Sequence, residues 1–285
     1  MAIFNNSNTV VANVLIMAIG GGGASSVGGG GAGGVVYSNW NITYSNSYVV
    51  TIGAGGAQKG SVYQLPASNG VNTSIIGGTF NVTAIGGGGG GGSDGGLVAP
   101  NPTQGLQGGS SGGGSSSVYT RNLTYPPLQP TSQWGGYGGA GSGGNSSYGS
   151  GGGGGGAGGD GTQGAFNGTL YESIAGVAGN GISIPITGQN VYYAQGGYGY
   201  GQLSSNQAAG PSNTGNGGGA QLQNGGSGIL VLSYPAPQLF SGGVVTTNGP
   251  NVVHTFTTSG VLTPFKFVNP TKTKLYSNGD LQIVN

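Results

Sequence analysis

One histidine, His254, and four carboxylates, Asp94, Asp160, Glu172 and Asp280, are all the side-chain acid–base chemistry this sequence offers near neutral pH. General acid–base catalysis needs such groups held within hydrogen-bond reach of one substrate. The acid nearest to His254 along the chain is Asp280. His254 itself lies in an alternating apolar run, Val252-Val253-His254-Thr255-Phe256-Thr257, which points to a structural role. Asp94 follows seven glycines and Ser93, and Asp160 lies in Gly158-Gly159-Asp160-Gly161. Both are expected to turn the chain at the ends of glycine runs through their side-chain oxygens. Cysteine is absent, which removes disulfides and thiolate metal sites. The glycine runs match any glycine-based phosphate motif by composition alone, and no Gly-Lys-Ser/Thr sequence is present. The expectation is a protein that is not an enzyme, with no cofactor and no metal.

Two further sets of residues could do chemistry of recognition. Asn5, Asn41, Asn72, Asn81, Asn122, Asn145 and Asn167 each head an Asn-x-Ser/Thr triplet, the acceptor for N-linked glycan. As a set, in a chain this poor in charge, they suggest a glycosylated outer surface. Trp134, Tyr137, Tyr148, Tyr193, Tyr198 and Tyr200 punctuate a glycine-rich middle. Tyr and Trp give contact area with a polar handle, which suits a glycan- or receptor-binding face. The same residues also suit packing over glycine segments or between subunits, and both readings stay open.

The elements that must position these residues are short β-branched runs that end in glycine. Val14-Leu15-Ile16-Met17-Ala18-Ile19 runs into Gly20–Gly23, Tyr48-Val49-Val50-Thr51-Ile52 into Gly53-Ala54-Gly55-Gly56, and Phe80 to Ile85 into Gly86–Gly92. Val35-Val36-Tyr37 and Trp40 to Tyr44 read as edge or surface strands. Ile229 to Ser233 closes the glycine-rich part, with Tyr234-Pro235 as its stop. Beyond it, Val244 to Thr247 with Asn248-Gly249 reads as a hairpin entry, followed by strands at Val252–Thr257, Lys274–Tyr276 and Leu281–Val284. Glycine breaks every helical window at about 1 kcal/mol per position relative to alanine, so no helix is expected. The organisation expected is an N-terminal arm over 1–8, a glycine-rich β domain over 9–235 and a small C-terminal β segment over 236–285.

The glycine runs themselves admit two readings. One is a flexible linker. The other is ordered polyglycine II, a helix of three residues per turn with no internal hydrogen bonds. Its N–H and C=O groups point outward, and only glycine lets neighbouring helices approach closely enough to bond laterally. The apolar strands on either side would be left without partners if the middle were a linker.

Composition narrows the setting. Glycine supplies 72 of 285 residues, yet 34% are hydrophobic and only 3% are charged, unlike disordered chains, which are usually rich in charge. A formal charge of +1 offers no electrostatic footprint for nucleic acid or acidic lipid. Few carboxylates leave little stability linked to their protonation. The N-terminus lacks the basic region of a secretory signal, and the apolar run to Ile19 is too short to span a bilayer, so no membrane span is expected. Surface chemistry of an exported kind without a signal suits a component released with a virion.

The ordered series of strand-to-glycine transitions, the closing Gly225-Gly226-Ser227-Gly228-Ile229-Leu230-Val231-Leu232-Ser233-Tyr234-Pro235, and the later Gly242 to Gly260 segment resemble the glycine-rich domain of viral tail fibres and related surface proteins. Related glycine lattices occur in phage receptor-binding adhesins and in the extracellular glycine-rich region of anaplastic lymphoma kinase. The resemblance implies an all-β fold, a jelly-roll-like β-sandwich whose strands feed a layer of packed polyglycine II helices. It implies a non-enzymatic structural protein at the virion surface or otherwise extracellular, a tail fibre, spike or adhesin. The partners implied are further copies, other virion proteins and a cell-surface glycan or protein receptor. A self-assembling filament or coat subunit, joined by strand complementation, and a minor capsid or decoration protein are the alternatives.

Overall fold

In the computed structural model the described residues are 3–4, 10–59, 66–92, 104–115, 126–129, 150–166, 173–202, 208–265, 273–275 and 281–283. Every regular element among them is a β-strand, and all the pairings are antiparallel. The strands in chain order are Ile3–Phe4 (β1), Val10–Ile19 (β2), Val35–Thr43 (β3), Tyr48–Thr51 (β4), Thr73–Gly77 (β5) and Phe80–Ala84 (β6). Then come Ala165–Phe166 (β7), Ser173–Ile174 (β8), Ile182–Ile184 (β9), Val191–Tyr193 (β10) and Ile229–Pro235 (β11). Phe240–Ser241 (β12), Val244–Asn248 (β13), Asn251–Phe256 (β14), Gly260–Pro264 (β15), Thr273–Leu275 (β16) and Leu281–Ile283 (β17) complete the series.

Two sheets dominate. The first runs β3-β2-β11-β14-β13, with β1 joining the start of β2. The second runs β12-β15-β4-β5-β6. They pack face to face as a sandwich. Ile16, Ala18, Val36, Leu230, Leu232 and Val252 from the first sheet meet Tyr48, Val50, Ile75, Val82, Phe240 and Leu262 from the second. Each of the larger aliphatic side chains among these, fully removed from water, stabilises the fold by about 1.5–3 kcal/mol. The strands after Pro235 belong to both sheets: β14 lies against β11, and β15 against β4.

The first sheet is covered on its other face as well. Met17, Ile19, Val35, Val231 and Val253 pack there with Ile184, Ile186 and Tyr193 from the β9–β10 hairpin and with Ala32 and Ala157 from glycine segments. Side chains alternate between the faces of a strand. A strand buried on both faces therefore reads as a continuous apolar run, and Ile229-Leu230-Val231-Leu232 is such a run.

Strands β2, β4 and β6 run into glycine, and β3 and β11 emerge from it. These segments hydrogen-bond laterally with a three-residue repeat. From the segment 28–34, Gly28, Gly31 and Gly34 donate to Gly91, Gly88 and Ile85 at 2.9, 2.7 and 2.8 Å. Gly29 and Ala32 donate to Gly152 and Gly155, while Gly30 and Gly33 donate to Gly218 and Gly215. The same segment accepts bonds from Gly20 and Gly23, from Ser110 and Gly113, and from Gly197. It thus has six flanking segments, three that it donates to and three that donate to it. Backbone must pass very close to backbone for this. A Cβ built on Gly30 collides with the Gly23 carbonyl, and one on Gly88 with that of Leu106.

Candidate functional site

Opposite the glycine ends, the sandwich is closed by aromatic rings. Trp40 and Tyr48 each meet Phe80 edge-on, at centroid distances of 5.8 and 5.6 Å. Tyr44 stacks on Phe240 at 5.1 Å, and Tyr234 approaches Phe240 edge-on at 5.9 Å. These geometries suit the ring quadrupoles. The sequence carried a signal for this cluster: of the strands with glycine at one end, β3, β4, β6 and β11 have an aromatic residue near the other, at Trp40, Tyr48, Phe80 and Tyr234.

His254 belongs to this end. Its Nε2 lies 2.7 Å from the Tyr234 hydroxyl and its Nδ1 2.8 Å from the Gly242 carbonyl. A carbonyl only accepts, so Nδ1 carries the proton and Nε2 accepts from Tyr234. The Tyr234 oxygen in turn accepts from the backbone N–H groups of Leu239 and Phe240, at 3.1 and 3.2 Å. Burial holds the His254 pKa below the ordinary imidazole value, opposed by the bond to Gly242. Burial pushes the Tyr234 and Tyr44 hydroxyls up; for Tyr44 the neighbouring Tyr234 adds to the effect. The network satisfies buried polar groups and fixes the turn after β11.

Asp160 is exposed and follows the tight turn in which Gly156 and Gly159 exchange backbone hydrogen bonds. Among the described residues no three His, Cys, Asp or Glu side chains come together in a way that could hold a metal ion. Asp94 and Glu172 lie outside the described residues, as does Asp280.

Of the glycan acceptors, Asn41, Asn72 and Asn81 are described, whereas Asn5, Asn122, Asn145 and Asn167 lie outside the described residues. Asn41 is exposed on β3, and its Oδ1 accepts a 3.2 Å bond from Asn13 Nδ2 on β2. Asn81 is exposed on β6, and its Oδ1 accepts from the Thr83 hydroxyl at 2.9 Å. Both stand on edge strands. Asn72 serves the glycine layer: its Oδ1 accepts from the Gly86 N–H at 2.9 Å, and three residues earlier Asn69 does the same for Gly89. These two carboxamides occupy the third bonding direction of the Gly86–Gly92 segment, whose other donors go to Gly21 and Ser110 and to their counterparts three residues on. Sequence reading missed this role. Its signal is the spacing of three between Asn69 and Asn72, the period of the segment they cap.

Of the aromatic candidates, Trp134, Tyr137 and Tyr148 lie outside the described residues. Tyr193 is only 4% exposed and packs into the core behind the first sheet, while its neighbour Tyr192 is 69% exposed. Tyr198 and Tyr200 are half-buried within the glycine layer: Tyr198 accepts a backbone bond from Ala220, and Tyr200 donates one to Val27.

Two antiparallel sheets packed as a sandwich, with strands that feed a laterally bonded glycine layer, define an all-β, glycine-rich structural class. A family model described as a glycine-rich domain matches residues 4–235, and the chain belongs to that family. No curated protein and no solved structure matches the chain. No helix among the described residues is long and apolar enough to cross a membrane.

Proposed function

We propose that this chain is a non-enzymatic extracellular structural protein, a virion surface component such as a tail fibre, spike or adhesin. It displays host-binding loops on a glycine-based scaffold whose segments are polyglycine II helices. The observation that carries this reading is the threefold return of lateral hydrogen bonds around the segment 28–34. Three residues per turn with outward-facing N–H and C=O groups is the pattern that polyglycine II demands. A layer bonded this way needs no charged side chain, in keeping with a chain that has nine charged residues, five basic and four acidic. In the sequence Trp134, Tyr137 and Tyr148 fall between the glycine-rich runs 104–115 and 150–156. The attachment test uses Trp134→Ala and Tyr198→Ala. Lost binding to host cells with intact assembly supports display, and lost assembly assigns these residues to packing.

A filament or coat subunit is favoured by one specific observation. The edge strand β13 is exposed along most of its length, with Val244 64% exposed, and carries neither charge nor proline. Edges of this kind are open to pairing with another chain. Electron microscopy of the purified protein separates the readings: discrete particles fit a fibre or spike, and open-ended helical polymers fit a filament.

A further inference from the structure

The outer face of the five-stranded sheet carries an aliphatic row that is left exposed among the described residues. Val261 on β15 pairs with Val49 on β4, Val49 with Ile76 on β5, and Ile76 with Asn81 on β6. The three aliphatic side chains are 46%, 57% and 44% exposed. Four adjacent strands set the row at about 15 Å from end to end, given a strand spacing near 4.8 Å. Exposed strands and edges are ordinarily protected by charge or proline. None of the five strands carries a charged residue, and the edge strand β6 has no proline. What stands at the end of the row instead is a glycan acceptor.

We propose that Asn81 carries an N-linked glycan that lies over the Ile76–Val49–Val261 row and shields the β6 edge. The geometry suits it. Asn81 is exposed, and its Oδ1 takes the Thr83 hydroxyl of its own acceptor triplet. Its Nδ2, the atom that is glycosylated, makes no hydrogen bond among the described residues. Cross-strand register then directs the first sugars from Asn81 across Ile76, where the C–H faces of the rings meet aliphatic side chains and the hydroxyls face water. In the transfer step, Nδ2 attacks the anomeric carbon of a lipid-pyrophosphate-linked oligosaccharide. The C–N bond forms, the lipid pyrophosphate leaves with the electron pair of the broken C–O bond, and Nδ2 gives up one proton. The neighbouring Thr51–Ser74–Thr83 row is polar and offers the glycan hydroxyl partners.

The inference rests on the extracellular setting proposed above, and its test separates the two. The full chain is secreted from eukaryotic cells that N-glycosylate, and its peptides are mapped by mass. Asn81 is expected to be occupied in most molecules, and Asn81→Gln and Thr83→Val each to lose the mass of one glycan. Sedimentation is expected to show self-association raised at least several-fold in both variants and after enzymatic glycan removal. Adding Val49→Thr and Ile76→Thr to Asn81→Gln should restore the monomer. Asn81 left bare while other acceptors are modified overturns the proposal, as does unchanged self-association on loss of its glycan. Protein from its native source that is bare at every acceptor overturns the proposal, while the extracellular reading is decided separately by the attachment test. Native protein bare at Asn81 alone overturns only the proposal.

Discussion

His254 donates its Nδ1 proton to the Gly242 carbonyl and takes one from Tyr234 at Nε2, so the fold holds the ring neutral. Its folded pKa lies below the ordinary value because burial disfavours the charged ring. An unfolded histidine protonates near pH 6.5. Above that pH both states are neutral and stability stays at its plateau. As pH falls below it, the unfolded chain binds a proton that the folded ring refuses, so stability declines until the folded pKa is reached. Urea unfolding across pH should show a plateau above about pH 7 and a slope of at most one proton below about pH 6.5. His254→Gln should flatten that slope. Tyr234→Phe should cost on the order of 3 kcal/mol at neutral pH, measured by the same unfolding. It strands His254 Nε2 and two backbone N–H groups, and each buried unpaired group costs about 1–3 kcal/mol.

At the scale of elements, the glycine segments depend on what each residue lacks. Gly30 faces carbonyl oxygens of Gly23 and Ala24, so Gly30→Ala should cost about 3 kcal/mol or more, because rigid backbone cannot give way. Gly159→Ala is the control. A Cβ there meets nothing within 4 Å, and the change should stay within about 0.5 kcal/mol of neutral in thermal unfolding. Asn69→Ala removes the acceptor for the Gly89 N–H and should cost about 1–3 kcal/mol. Amide exchange should then show Gly89 losing protection while Gly88, bonded to Ser110, keeps it.

For the molecule as a whole, charge contributes little and backbone bonding much. The chain has five basic and four acidic residues, so long-range electrostatics have little to act on. Unfolding free energy should change by less than about 0.5 kcal/mol between roughly 0.05 and 0.5 M sodium chloride, measured in urea at pH 7.5. Each backbone hydrogen bond adds only about 0.5–1.5 kcal/mol net. A layer in which one segment meets six neighbours sums many of these. The layer and the sandwich share strands, since β2, β3, β4, β6 and β11 pass from one into the other, so the two are expected to unfold together.

Much of this was legible in the residues. Short β-branched runs abutting glycine determined strands without helices, and the apolar run Ile229 to Ser233 determined the strand that closes the glycine-rich part. The alternating run around His254 was legible as a strand. Other features came only with the tertiary structure. It decided that β11 lies between β2 and β14, and that β15, weakly marked in the chain, closes against β4. It decided that Trp40 and Phe80 meet, and that Asn81 stands in register with Ile76. Strand runs are read from the alternation of their own side chains, but partners many residues apart leave no local trace. Glycine carries the point to its limit. A run such as Gly86–Gly92 determines that backbones can touch there, yet with no side chain it holds nothing that selects a neighbour. The strands at its end, anchored in the sandwich, and the carboxamides of Asn69 and Asn72 make that selection.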